Sequence, residues 1–175
     1  MSVPTPPGTS LAVSARILAG SLMGALLFMG VALAFVLRTD SRPPLWVPLA
    51  QLVAGAAIHV LLDTIGYRLQ PLEVSMGDTE AASAARARWQ AAMILRFALS
   101  ESVALASIAA AFVIGEGGFW IYAAGAVVSL VLMVVHVWPW ARPLGRTVEA
   151  LESAGQPSHL FEAFGLSGPG PIQRL

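Results

Sequence analysis

The chain is predicted to be an all-α membrane protein, a four-helix antiparallel transmembrane bundle followed by a short amphipathic helix. Three observations predict it. Hydrophobic residues make up 57% of the chain and charged residues 11%, with a mean hydropathy of +0.73, whereas a soluble domain carries about a quarter charged residues. The apolar residues also gather into four runs of bilayer length. Finally, the polar segments between those runs are short.

The first run is Ile17–Leu37, which as a helix reaches about 31 Å, close to the hydrocarbon thickness of a bilayer. A cleaved signal peptide is not expected there: the proline-rich start Ser2–Ser10 has no positive region ahead of Arg16, and the apolar run is too long for a signal core. The second run covers Leu45 to about Tyr67, the third Ala91 to Ile114 and the fourth Phe119 to about Trp138. Arg38–Pro44 and Gly115–Gly118 are short connections, the latter a tight glycine turn. Arg68–Gln90 is longer, and its Ala81–Arg88 part reads as a helical lead-in to the third span. After Pro143, Leu144, Val148 and Leu151 recur at helical spacing, which predicts a short helix on the membrane surface. Breakers from Gly155 onward, including Gly168-Pro169-Gly170-Pro171, predict a flexible end. Leu160, Phe161 and Phe164 within it form a small apolar cluster expected to touch the membrane surface. The division is therefore a transmembrane domain over 1–142 and a cytoplasmic helix with tail over 143–175.

Four spans put both termini on one side. That side holds Arg16, Arg68, Arg86, Arg88, Arg142, Arg146 and Arg174, against Arg38 and Arg42 on the other. The bias of basic residues toward the cytoplasm places both termini there, in a bacterial inner membrane. Trp46 and Trp120 are then expected at the outer interface, and Trp89, Trp138 and Trp140 at the inner one. All ten basic residues are arginine, which with abundant alanine, glycine and proline suggests a GC-rich bacterial genome. The Arg16-led first span also lays over the Arg96-led third, and Tyr67–Leu72 over Trp140–Leu144, as two tandem helical hairpins would.

Candidate functional residues are the polar ones inside the spans. Glu101 sits in the middle of the third, where a charge costs about 2.5–3.5 kcal/mol on insertion scales. Counting inward from Arg68 and Trp89 puts Asp63 and Arg96 roughly 8–10 Å deep and His59 and Glu101 roughly 13–18 Å deep. The expected pairing is a two-rung ladder, Asp63 with Arg96 and His59 with Glu101, and His136 lies near the first rung. Gly55, His59 and Asp63 share one face of the second span. Gly20 and Gly24 form a small-xxx-small pair suited to helix packing, as do Ala98, Ser102, Ala106 and Ala109 or Ala110 beside Glu101. The cluster is expected to fix helix register; its other reading is a proton relay.

Other chemistries find little support. The chain has no cysteine, which excludes thiolate metal sites, disulfides and cysteine nucleophiles. His59 and Asp63 have helical ligand spacing, and Glu101 could join them, but without a His-Glu-x-x-His pattern no metal is expected. Ser100 and Ser102 flank Glu101 outside any nucleophile elbow. There is no phosphate-cradling glycine loop, no cofactor is expected, and zero formal net charge argues against a nucleic-acid partner.

The stretch Ala98-Leu99-Ser100-Glu101-Ser102-Val103-Ala104-Leu105, followed by an alanine-rich run, resembles the carboxylate helix of ATP synthase c subunits. That resemblance implies a proton-carrying role for Glu101. The chain lacks that family's glycine-repeat first helix and has two extra spans. As a whole it resembles the four-helix membrane proteins common in actinobacteria, a likeness that implies no activity. The expectation is a non-enzymatic integral membrane protein, an accessory or assembly component of a larger inner-membrane complex or a homo-oligomer. Its rival is a small proton-coupled transporter or channel using Glu101.

Overall fold

A computed structural model describes the backbone of residues 7–166 and the side chains of 11–166; the start to Pro6, the Gly168–Pro171 run and Arg174 lie outside the described residues. Among those described the chain is all-helical: α1 (Pro7–Val36), α2 (Trp46–Ile65), α3 (Asp78–Val113), α4 (Gly118–His136), α5 (Ala141–Leu151) and α6 (Leu160–Ala163). The first four are long and apolar enough to cross a membrane, which makes the chain a multi-pass membrane protein. The expected lead-in and third span are one helix of 36 residues. Asp78 and Glu80 occupy its first turn, where acids complement the helix dipole.

Two compact units divide these elements. The bundle unit is Ala19–Gly66 with Met93–Trp138. The tail unit joins α1 as far as Leu18 to Tyr67–Ala92 and to the segment from Pro139 onward. The stretch between the second and third spans thus folds with the C-terminal segment.

In the bundle unit, α2 packs along α4. Both run the same way through the bundle, since each follows a connection at the same end. Gly55 of α2 lies against Val128 of α4, so the glycine does permit a close approach. Gly125 of α4 likewise faces Ser107 of α3. The face of α3 turned inward is Ser100, Val103, Ala104, Ser107 and Ala111. The expected small-residue stripe through Ala98, Ala106 and Ala109 is exposed instead, rotated by roughly one residue of helical turn. Gly20 and Gly24 do not serve as packing positions within the chain either. They are exposed, and a Cβ at either would meet nothing within 4 Å; the inward face of α1 there is Ala19 and Leu26.

At the other end of these helices, the turn before α4 uses left-handed backbone, with φ of 90° at Gly117 and 37° at Gly118. The Gly117 N–H donates to Ser41 Oγ at 2.9 Å. A Cβ on Gly117 would lie 2.6 Å from Pro43 Cα, and one on Gly118 would collide with the Arg38 carbonyl. Both positions therefore require glycine twice over, for conformation and for space.

The tail unit revises the expectation of a surface helix and, as far as Leu166, that of a flexible end. The stripe Leu144, Val148 and Leu151 of α5 is buried in protein rather than laid on lipid. The Leu72 N–H donates to Leu151 O at 2.8 Å, and the Arg146 guanidinium sits 4.1 Å from the Tyr67 ring centroid. From Gly155 to Leu166 the chain is held by side-chain hydrogen bonds and ring packing. Glu152 Oε1 accepts the Ser158 N–H at 2.8 Å and the Ser158 hydroxyl at 2.6 Å. Leu160 and Phe164 are buried, and the Phe164 ring meets Trp89 edge-on at 5.0 Å. Trp89 is thus a core residue, not an interfacial one. Trp46 and Trp120 are exposed, as interfacial rings are.

Two substitutions separate packed from open glycines. Gly125→Val should lower the thermal midpoint in detergent, since overpacking costs about 1–3 kcal/mol, whereas Gly20→Val should leave it unchanged. In the tail unit, Phe164→Ala removes a buried ring and should cost about 3–5 kcal/mol, read as faster amide exchange across residues 139–166.

Candidate functional site: the intramembrane polar seam

The candidate site is built on α4, which carries small residues where α2 and α3 meet it. At the level of Gly125, Gln51 of α2 spends both amide hydrogens. Its Nε2 donates to Ser107 Oγ at 2.8 Å and to the Ile121 carbonyl at 2.8 Å. That fixes the amide orientation, because only an NH2 group can serve a backbone carbonyl. Ser107 in turn donates to Val103 O at 2.7 Å, four residues back. One turn further along α4, Ser129 Oγ accepts the Ala104 N–H at 2.9 Å. Ser100 is fully buried in the same seam, and among the described residues its hydroxyl and Gln51 Oε1 are without hydrogen-bond partners. Ser102 donates to Leu99 O at 2.7 Å, an ordinary use of a helical serine.

Arg96 lies further along the seam, at the C-terminal end of α2. It is among the largest fully buried side chains of the structure, and its Nη1 donates to Gly66 O at 3.2 Å. Gly66 ends α2, and a Cβ there would meet Arg96 Cγ at 3.2 Å. The missing side chain makes room for the arginine. A guanidinium over the last carbonyls of a helix also complements the negative end of its dipole.

Histidines form the third contact. His59 Nδ1 and His136 Nε2 are 2.8 Å apart, with ring centroids at 5.0 Å. Asp63 Oδ2 is 3.7 Å from His59 Nε2. One ring nitrogen donates and the other accepts, according to the tautomer each imidazole holds, and Asp63 lies beyond His59 on the same face of α2.

The expected His59–Glu101 rung is therefore replaced by His59–His136. The reason is the α2–α4 register: Gln51 meets Ile121, Gly55 meets Val128 and His59 meets His136 along two parallel helices. Gly55, His59 and Asp63 do share a face, as their spacing predicts, but it turns to α4. Sequence reasoning assigned Gln51, Ser107 and Ser129 no role. Four-residue spacing from Gln51 to Gly55 and His59 was the available signal.

Glu101 stands apart. It is half-buried at mid-span, and among the described residues no hydrogen bond or ion pair reaches its carboxylate. Tyr122 is its electrostatic neighbour, but the Tyr122 hydroxyl donates to Leu26 O at 2.6 Å. Among the described residues no three His, Asp or Glu side chains gather as a metal site would require, and Glu101 does not join His59 and Asp63.

No family model, curated protein sequence or solved structure matches the chain. The c-subunit likeness around Glu101 rests on residues 98–105 and the alanine-rich run after them.

The histidine contact makes a measurable claim. A double-mutant cycle with His59→Phe and His136→Phe should give a coupling of about 0.6–1.7 kcal/mol in detergent unfolding, the range of interhelical hydrogen bonds in membranes. Rings that do not meet would give none.

Proposed function

We propose that this chain is a non-enzymatic integral membrane protein, an accessory or assembly component of a larger complex in a bacterial inner membrane, with both termini in the cytoplasm. The observation that carries this reading is Glu101. Gln51, Ser107, Ser129, Arg96, His59 and His136 all find partners within the chain, and such pairs hold register. Glu101 finds none among the described residues. A carboxylate at mid-span needs a donor, and a helix of another subunit is the available source. An arginine, lysine or hydroxyl on that helix would meet it, whether the subunit is a different membrane protein or a second copy.

The arginine bias supports the orientation, seven on the terminus side against two. A second reading, proton transfer, is favoured by one observation: Asp63, His59 and His136 form a short chain of titratable groups in the same bundle. In this reading Glu101 would be the carrier, with His59, Asp63 and Arg96 as modulators.

Purification in mild detergent distinguishes the two. The wild-type protein should bring down one or more membrane proteins, or a second copy, in fixed ratio; Glu101→Leu should lose them and Glu101→Gln keep part. If wild type and Glu101→Leu behave alike, the accessory reading fails. Vesicles reconstituted with the pure protein should show no pH-driven proton flux; flux that Glu101→Gln abolishes would establish the transport reading instead.

A further inference from the structure

Along the halves nearest the α1–α2 connection, α1 and α4 leave an open groove of about 480 Å³ between them. Leu27, Val31 and Phe35 form one wall, and Phe119, Val127 and Leu130 the other. No charged side chain lines it, and the one hydroxyl, on Tyr122, is committed to the Leu26 carbonyl. Phe35 is 87% exposed and Leu27 and Val127 are each 60% exposed. From Phe119 to Leu130 the groove follows α4 for about 16 Å, roughly half the hydrocarbon core of about 30 Å. It therefore has the depth of one leaflet.

A recess of about 560 Å³ at the helix ends adds polar and charged groups to a still largely apolar wall. Thr39, Asp40, Arg42 and Trp120 line it. Trp120 stands one heptad before Val127 on α4, so a single stripe of that helix leads from recess to groove. Its ring is fixed, packed edge-on against Phe119 at 5.5 Å and donating Nε1–H to Thr39 O at 3.1 Å. Two arginines stand in this connection and they differ. Arg38 forks onto Asp40 at 3.2 and 2.8 Å, and this pairing holds the Asp40 carboxyl below its ordinary range, so Arg38 stays neutralised. Arg42 is exposed and makes no ion pair among the described residues. Glu116, the remaining acid in these connections, does not line the recess.

We propose that this face binds an anionic glycerophospholipid, one acyl chain lying in the α1–α4 groove and the headgroup phosphate meeting Arg42. An apolar slot one leaflet deep, ending at an uncompensated guanidinium and an interfacial tryptophan, matches that molecule from tail to head. A second protein helix would need nothing at Arg42.

Purified full-length protein, exchanged into detergent with phosphatidylglycerol or phosphatidylcholine, is examined by native mass spectrometry. The wild type should retain one phosphatidylglycerol with about a fivefold preference over phosphatidylcholine, the scale of one basic residue at an anionic surface. Arg42→Gln should abolish the preference while leaving residual binding of both lipids. Val127→Trp, at an exposed position where it fills the groove without entering the core, should lose both. Equal retention of the two lipids by wild type overturns the proposal, as does unchanged retention by both variants. A wild-type dimer that Val127→Trp converts to monomer overturns it too, by giving the groove to a second copy.

Discussion

Lipid offers a polar side chain no hydrogen bond, so those inside the bundle turn to their own helix or to a neighbouring one for partners. That constraint organises the structure around α4. Gly125 lets Ser107 approach closely, which brings Ser107 within reach of Gln51. Gly55 lets α2 close onto Val128, which aligns His59 with His136. Gly66 leaves space for Arg96. In each case a missing side chain on one helix accommodates a side chain of another, polar at Gly125 and Gly66 and apolar at Gly55. Individual bonds of this kind contribute only about 0.6 kcal/mol on average, so they select one register among many apolar packings of similar energy.

Much of the architecture was legible in the sequence because it depends on long, strong signals. Four apolar runs, the Gly115–Gly118 turn and the stripe Leu144, Val148, Leu151 each appear where their spacing puts them. Which face of a span turns inward was much less legible. Beyond Arg96 nearly every position of α3 is small or apolar, so pattern alone does not separate Ala98–Ala106 from Ser100–Ser107, and contact with Gly125 decides between them. The partner of His59 was misassigned for a related reason. Spans adjacent in sequence are often neighbours, but the α2 stripe turned to α4, two spans away.

The C-terminal segment shows the opposite error. Its glycines and prolines were read as breakers, and they do end helices; Gly155 takes φ of 97°. Yet a chain can be broken and still ordered. Glu152 ties Ser158, Gln156 Nε2 reaches the Met76 carbonyl at 3.2 Å, and Trp89 covers Phe164. The cluster Leu160, Phe161 and Phe164 was the visible sign of a small core, but its partner lay some seventy residues earlier in the chain, beyond what local pattern reveals.

The interlocked tips of the helices bear on biogenesis. Gly117 rests on Pro43 and donates to Ser41, and the Phe119 N–H donates to Arg38 O at 3.0 Å. The first connection is thus shaped by residues that leave the ribosome some eighty positions later. Until the second helical pair has crossed, the first has no surface on which to set its tip, so co-translational insertion delivers an unfinished half and maturation waits for the last span.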